Sequence, residues 1–191
     1  MTSAHAIVSM HNIGTARMIL RQPTNSDVDA LFRIYGDPLT NAFNPAGPMR
    51  SLADAETTMA QWLDHWIRNG FGAWAVAWAA RPSEVVGFGG LSYRPFGDEV
   101  KANLGYRLGV EAWGRGLATE LATSAIKFGF QALHLQEIFA LVRSNYVASR
   151  NVLEKAGLTQ FGTLDDVPGD TPSIVYRIAP TNVSGTSGCA A

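Results

Sequence analysis

The chain has a single cysteine among its 191 residues, Cys189, set in a small-residue tail, so an internal disulfide is excluded. No apolar run approaches the roughly 20 residues of a membrane-spanning helix. Only 16% of residues are charged, the formal net charge is −1, and lysine and arginine never cluster beyond a pair. Broad electrostatic attraction to nucleic acid or to an anionic membrane is thereby excluded. His5, His11, His65 and His134 show no His-x3-His or carboxylate spacing, so no metal is expected and they read as surface or packing residues. The N-terminus lacks the basic start and apolar stretch of a signal peptide, which makes a cytoplasmic location the expectation. Neither Gly-x4-Gly-Lys-Ser/Thr nor Gly-x-Gly-x-x-Gly occurs, which argues against ATP and dinucleotides.

What is present is apolar content, 47% of the chain, enough for one full core and too little length for two comfortable domains. Residues 1–16 are weakly patterned and expected to be loose. Residues 17–21 read as a first strand, ended by Pro23. Asn25, Ser26 and Asp27 offer caps for a helix carrying Val28, Leu31, Phe32 and Tyr35. Ser51 and Asp54 form a capping-box pattern opening a second helix that runs to Gly70 and puts Met59, Trp62, Leu63 and Trp66 on one face. A hairpin follows, 71–79 and 85–93, turning at 81–84, with Gly89 and Gly90 marking a bulge or close backbone approach. A further strand, 102–110, puts Leu104, Tyr106 and Leu108 on one face. Later elements are a helix through Leu133, a strand at 137–142, a helix from Val147 ended by Gly157, and a closing strand pair, 158–163 and 173–178. Residues 180–191 are expected to form a flexible tail.

The most informative segment is Trp113-Gly-Arg-Gly-Leu-Ala-Thr119, where the 102–110 strand hands over to a helix with Leu117, Leu121, Ala125 and Phe128 on its apolar face. Gly114 and Gly116 remove Cβ atoms that would keep an anion from the backbone amides, and the first helical turn supplies positive dipole density. This local physics predicts a diphosphate site; a tight turn required by sterics alone is the competing reading.

Taken with Gly105-Tyr-Arg-Leu108 before it and Ala148-Ser-Arg-Asn-Val-Leu-Glu-Lys-Ala-Gly157 after it, this segment resembles the GNAT N-acetyltransferases, in particular the RimJ/RimL-like branch. The resemblance spans roughly residues 16–178. It implies one domain, residues 17–179, with an α+β acyl-CoA N-acyltransferase sandwich: a mixed, mostly antiparallel sheet flanked by helices. It also implies acetyl-CoA as cosubstrate, with Arg115, Gly116, Leu117, Ala118 and Thr119 holding the pyrophosphate beside Trp113 and Gly114. Leu108, Gly109 and Val110 would pair with the pantetheine amides, and Asn145 and Tyr146 would lie beside it. Trp113 stands where the wider superfamily has a polar residue. Arg115 is either a charge-assisted phosphate contact or an exposed helix-start residue.

Acetyl transfer needs a neutral amine, a polarised thioester carbonyl and a proton for the departing thiolate. By resemblance, a backbone N–H near 108–110 serves the carbonyl and Ser149 the thiolate; the alternative for Ser149 is a bond to a helix carbonyl. Two positions depart from the pattern. Tyr146 replaces an asparagine, with Asn145 displaced by one and available as a helix cap. Asn103 replaces a glutamate that would act as base, leaving Asp165, Asp166, Glu99 or a water chain as substitutes. An α-amine, with pKa about 7.7–8.0, needs less help from a base than a lysine amine near 10.4. The acceptor expected is therefore a peptide N-terminal α-amine or a small-molecule amine, bound by a monomer or homodimer. Phe43, Pro45, Trp62, Tyr93 and Phe96 are candidates for lining its cleft. The alternative function is a non-catalytic acyl-CoA-binding sensor.

Overall fold

Two periodicities shape the chain: apolar residues alternate along the strands and recur every three or four residues along the helices, and both apolar faces meet on one sheet. The computed structural model describes residues 12–180. Its strands are β1 (Asn12–Gly14), β2 (Met18–Arg21), β3 (Ala73–Trp78), β4 (Arg81–Phe96), β5 (Glu99–Leu108), β6 (Ile138–Val142), β7 (Thr159–Leu164) and β8 (Ser173–Ile178). The helices are α1 (Val28–Tyr35), α2 (Leu52–Asn69), α3 (Leu117–Gln131) and α4 (Val147–Lys155). The sheet order is β1-β2-β3-β4-β5-β6-β8-β7, with β5 and β6 parallel and every other pair antiparallel.

Each sheet face is covered by a helix pair. Leu31, Ile34, Ala55 and Met59 of α1 and α2 pack on Ala75, Val85 and Phe88. Leu117, Leu121 and Ala125 of α3 and Leu153 of α4 pack on Trp74, Val76, Val86, Leu91, Leu104 and Leu108. Trp74 and Val76 face one helix layer while Ala75 between them faces the other, as a two-residue period requires.

α1 is entered through a partly buried ion pair: Arg21 grips Asp27 with two N–H bonds of 2.8 and 2.6 Å, and Asp27 also accepts from the Thr24 amide at 2.8 Å. Of the three candidates Asp27 takes the position before α1, without a side-chain cap bond to the helix, while Thr24 opens the short 3-10 turn, residues 25–27, that leads into it. α2 has the expected box, with the Asp54 amide donating to Ser51 Oγ at 3.2 Å and the Ser51 amide to the Asp54 carboxylate at 3.1 Å.

The structure corrects several boundaries. The expected loose start at 1–16 includes β1, whose Ile13 packs against the core while its strand pairs with β2; residues 1–11 lie outside the described residues. The 81–84 turn is a bulge within β4, because the reversal is completed at Ala79 and Ala80 and Trp78 already pairs with Arg81. β5 begins at Glu99 and stops at Leu108, since Val110 opens a short 3-10 turn. The glycine pair in β4 is a close approach: a Cβ on Gly89 would meet the Tyr106 Cβ at 2.6 Å. Cys189 and most of the expected tail also lie outside the described residues.

Candidate active site

The sheet splits between β5 and β6. The two strands share one register pair, Asn103 with Phe139, while β5 continues through residues 104–108 without a β6 partner. β6 meanwhile pairs along its length with β8. α3 begins just beyond the end of β5 and α4 just beyond the end of β6, so two helix N-termini flank the opening.

The turn into α3 has the geometry its glycines permit. Gly114 has φ 70° and Gly116, the residue before the first turn, has φ 73°, both in the left-handed region where a Cβ is strained. Gly116 has no capping side chain, leaving the first-turn amides to be met from outside. An unforeseen residue shapes this turn from across the sheet. Arg17 donates to the Arg115 carbonyl at 2.6 Å and pairs with Glu120 at 2.6 Å, while its amide donates to the same carboxylate at 3.0 Å. Burial raises the Glu120 pKa, but the bonds from Thr15 and Arg17 outweigh it and the net shift is downward. Arg115 itself lies over the Trp78 ring, 5.5 Å from its centre.

Before the turn, the Gly109 amide donates to the Val86 carbonyl at 2.8 Å, and the Leu108 carbonyl accepts the Trp113 indole N–H at 2.9 Å. Trp113 therefore ties the turn to the strand end, a structural use for the aromatic residue at a position expected to be polar. Val110 and Trp113 are partly exposed, whereas Leu108 is buried.

Across the opening, Ser149 sits in the first turn of α4, where its Oγ lies 3.1 Å from the Tyr106 hydroxyl. The phenol also donates to the Ser149 carbonyl at 3.3 Å. Burial pushes the Tyr106 pKa well up, partly opposed by the Ser149 bond, so the phenol stays protonated. In the sequence Tyr106 is read as a strand-face residue and as part of the Gly105-Tyr-Arg-Leu108 segment; its pairing with a residue 43 positions later has no local spacing to announce it.

Asn145 is exposed and does not cap α4, because Tyr146 occupies that position without a side-chain bond and the Asn145 carbonyl instead accepts from the Val147 amide at 3.0 Å. Tyr146 stacks on Phe43 with ring centres 4.2 Å apart. Phe43 and Pro45, together with Arg143 to Asn145 and Asp170, line a depression of about 300 Å³. The other aromatic candidates lie elsewhere: Trp62 packs on Tyr35 and Phe88, Tyr93 on His65 and Phe71, and Phe96 on Phe139. His65 bridges α2 and β4, accepting the Tyr93 amide at 3.0 Å.

None of the substitute bases joins the Ser149 pair. Glu99 stands at the hairpin end of β5, paired with Lys101. Asp166 lies between Arg94 and Arg143 at 3.5 and 3.6 Å, and Asp165 is exposed. Asn103 is buried, with its Oδ1 lacking a hydrogen-bond partner among the described residues. No described helix is long and apolar enough to cross a membrane.

Known proteins share this fold. A family model described as an acetyltransferase (GNAT) domain matches residues 17–159. The uncharacterized N-acetyltransferase YoaA of Bacillus subtilis (strain 168) is 26% identical over 152 residues, covering 78% of this chain and 84% of its own. An acetyltransferase from Agrobacterium tumefaciens str. C58 superposes with a TM-score of 0.75 at 23% identity, covering 94% of this chain and 100% of that one. RimL, a ribosomal L7/L12 α-N-protein acetyltransferase solved with coenzyme A, superposes at 0.70 with 17% identity, covering 88% and 98%.

Proposed function

The chain belongs to the acetyltransferase (GNAT) family and is an acetyl-CoA-dependent N-acetyltransferase, and from that premise we propose that it acetylates a peptide N-terminal α-amine or a small-molecule amine by direct attack. The observation that carries this reading is the Tyr106–Ser149 pair facing the gap where β5 leaves β6. RimL, which shares the fold and was solved with coenzyme A, acts on α-amines, and that supports the choice of acceptor.

In this reading the cofactor's pyrophosphate rests on the amides of residues 115–119, where the α3 dipole adds about 0.3–1 kcal/mol per favourable contact. The pantetheine lies along the edge of β5 that β6 leaves uncovered, near Leu108 to Val110, with Asn145 and Tyr146 across from it. A backbone N–H on that edge polarises the thioester carbonyl.

The amine lone pair attacks the thioester carbon, a C–N bond forms, and the C–S bond then breaks. The thiolate takes the proton that the nitrogen loses, passed through the Ser149 hydroxyl. Tyr106, held protonated by burial, orients Ser149 and keeps a second O–H beside it. With asparagine at 103, and Glu99 paired with Lys101 at the far hairpin end of β5, no carboxylate of that strand collects the proton, so the amine has to arrive neutral, which favours α-amines over lysine.

The test is CoA release from acetyl-CoA with Ala-, Ser- and Met-starting peptides, internal-lysine peptides and polyamines. Release with α-amines is expected. Fast acetylation of internal lysine with none of N-terminal peptides would overturn the acceptor assignment.

A further inference from the structure

Opposite the Ser149 side, β5 presents Lys101, Asn103, Gly105 and Arg107 at every second position. Lys101 has its own counter-charge in Glu99. Arg107 has none: among the described residues no carboxylate pairs with it. One of its N–H groups donates to Asn41 Oδ1, and its plane lies over the Tyr35 ring at 4.4 Å. A guanidinium carries five donors, so most of its hydrogen-bonding capacity is unspent. Burial lowers its pKa, and the neighbouring phenols of Tyr35 and Tyr146 are neutral at ordinary pH.

The cation is also held in place. Asn41 is buried and donates to the Tyr35 and Asp37 carbonyls, both at 2.8 Å, so the acceptor atom that fixes Arg107 belongs to a rigid turn after α1. The same turn carries Phe43 onto Tyr146, closing one wall beside Arg107. A half-buried guanidinium costs desolvation energy that a bidentate anion offsets.

We propose that Arg107 binds an anionic group, a carboxylate or a phosphate, carried by the acceptor amine. The substrate class is then a zwitterionic or anionic amine, not a polyamine. This rests on the transfer reading above and deepens it. The anion is anchored on one face of β5 while the sulfur leaves toward Ser149 on the other, because Tyr106 and Arg107 are adjacent in the strand and point oppositely.

The test uses matched acceptors in CoA release: alanine against alaninamide, alanyl-glycine against alanyl-glycinamide, and phosphoethanolamine against ethanolamine, with spermidine alongside. The wild type is expected to favour the anionic member of at least one pair by about ten- to a hundredfold in kcat/KM. Arg107→Gln should bring that ratio near one through a fall in kcat/KM for the anionic member, and Arg107→Lys should keep part of the preference. Equal or inverted preference in the wild type, or a preference that survives Arg107→Gln, overturns the proposal and leaves the transferase standing. If no amine releases CoA, the transfer reading fails by itself. Calorimetric titration of the same anionic amines into the CoA complex then decides: binding lost in Arg107→Gln supports the site, and no wild-type binding overturns it.

Discussion

At the scale of residues, the proposed chemistry turns on two hydroxyls 3.1 Å apart. Ser149→Ala should lower kcat by about a hundredfold to ten-thousandfold, the usual worth of proton transfer by a positioned group, while the acetyl-CoA Kd measured by calorimetry stays within a few-fold. Tyr106→Phe keeps the ring packing and removes only the orienting O–H, so a smaller fall in kcat is expected in the same assay. The pH profile follows from the raised Tyr106 pKa and the neutral Asn103. The phenol is protonated both below and throughout the working range, so Tyr106 adds no limb below about pH 10. The rising limb of kcat/KM should instead track the acceptor's amine, near pH 7.7–8.0 for a peptide α-amine, and move when the acceptor's pKa is changed. A limb fixed near pH 5–7 for every acceptor would reveal an enzyme base.

At the scale of elements, the turn into α3 and the entry to α1 make separate predictions. A Cβ on Gly116 would meet nothing closer than Arg17 at 3.6 Å, so Gly116→Ala should suffer from its φ of 73° and not from crowding. The expected loss is about 1–2 kcal/mol in urea unfolding, with weaker acetyl-CoA binding, and Gly116→Asn should recover part of both because asparagine tolerates the left-handed region. At α1, burial raises the Asp27 pKa but the Arg21 and Thr24 bonds outweigh it, so its folded value lies below the ordinary one. Its stabilisation is therefore present above about pH 4 and lost as pH falls through the folded value. Asp27→Asn should cost about 1–3 kcal/mol at pH 7 by weakening the hold on the partly exposed Arg21, with the gap from wild type closing under acid.

These elements also show what the sequence made legible. The capping box at Ser51, the face of Met59 and Trp66, and the Gly114–Gly116 turn are signals local to a few residues, and each stands where its spacing predicts. The Arg17 clamp, the Tyr106–Ser149 contact and the Asn41–Arg107 bond join residues 98, 43 and 66 positions apart, so nothing in their local spacing announces them. The misplaced 81–84 turn has the same origin. Arg-Pro-Ser-Glu is turn-like in composition, but pairing of β3 with β4 absorbs it as a bulge.

At the scale of the whole molecule, one sheet split positions everything: the α3 turn on one side, Ser149 on the other, Arg107 on the opposite face of β5. A ligand that binds across this split stabilises the fold by mass action. Acetyl-CoA at a hundred times its Kd should add about 2.7 kcal/mol, raising the unfolding temperature by roughly 5–10 °C for a domain of this size. The measurement that tests the central claim most directly is CoA release from acetyl-CoA across the acceptor panel, with acetyl-CoA binding measured on the same protein. Release with α-amine acceptors, abolished or strongly reduced in Ser149→Ala, is the predicted result. Tight acetyl-CoA binding without release for any acceptor would contradict it and make the chain an acyl-CoA-binding protein on the same fold.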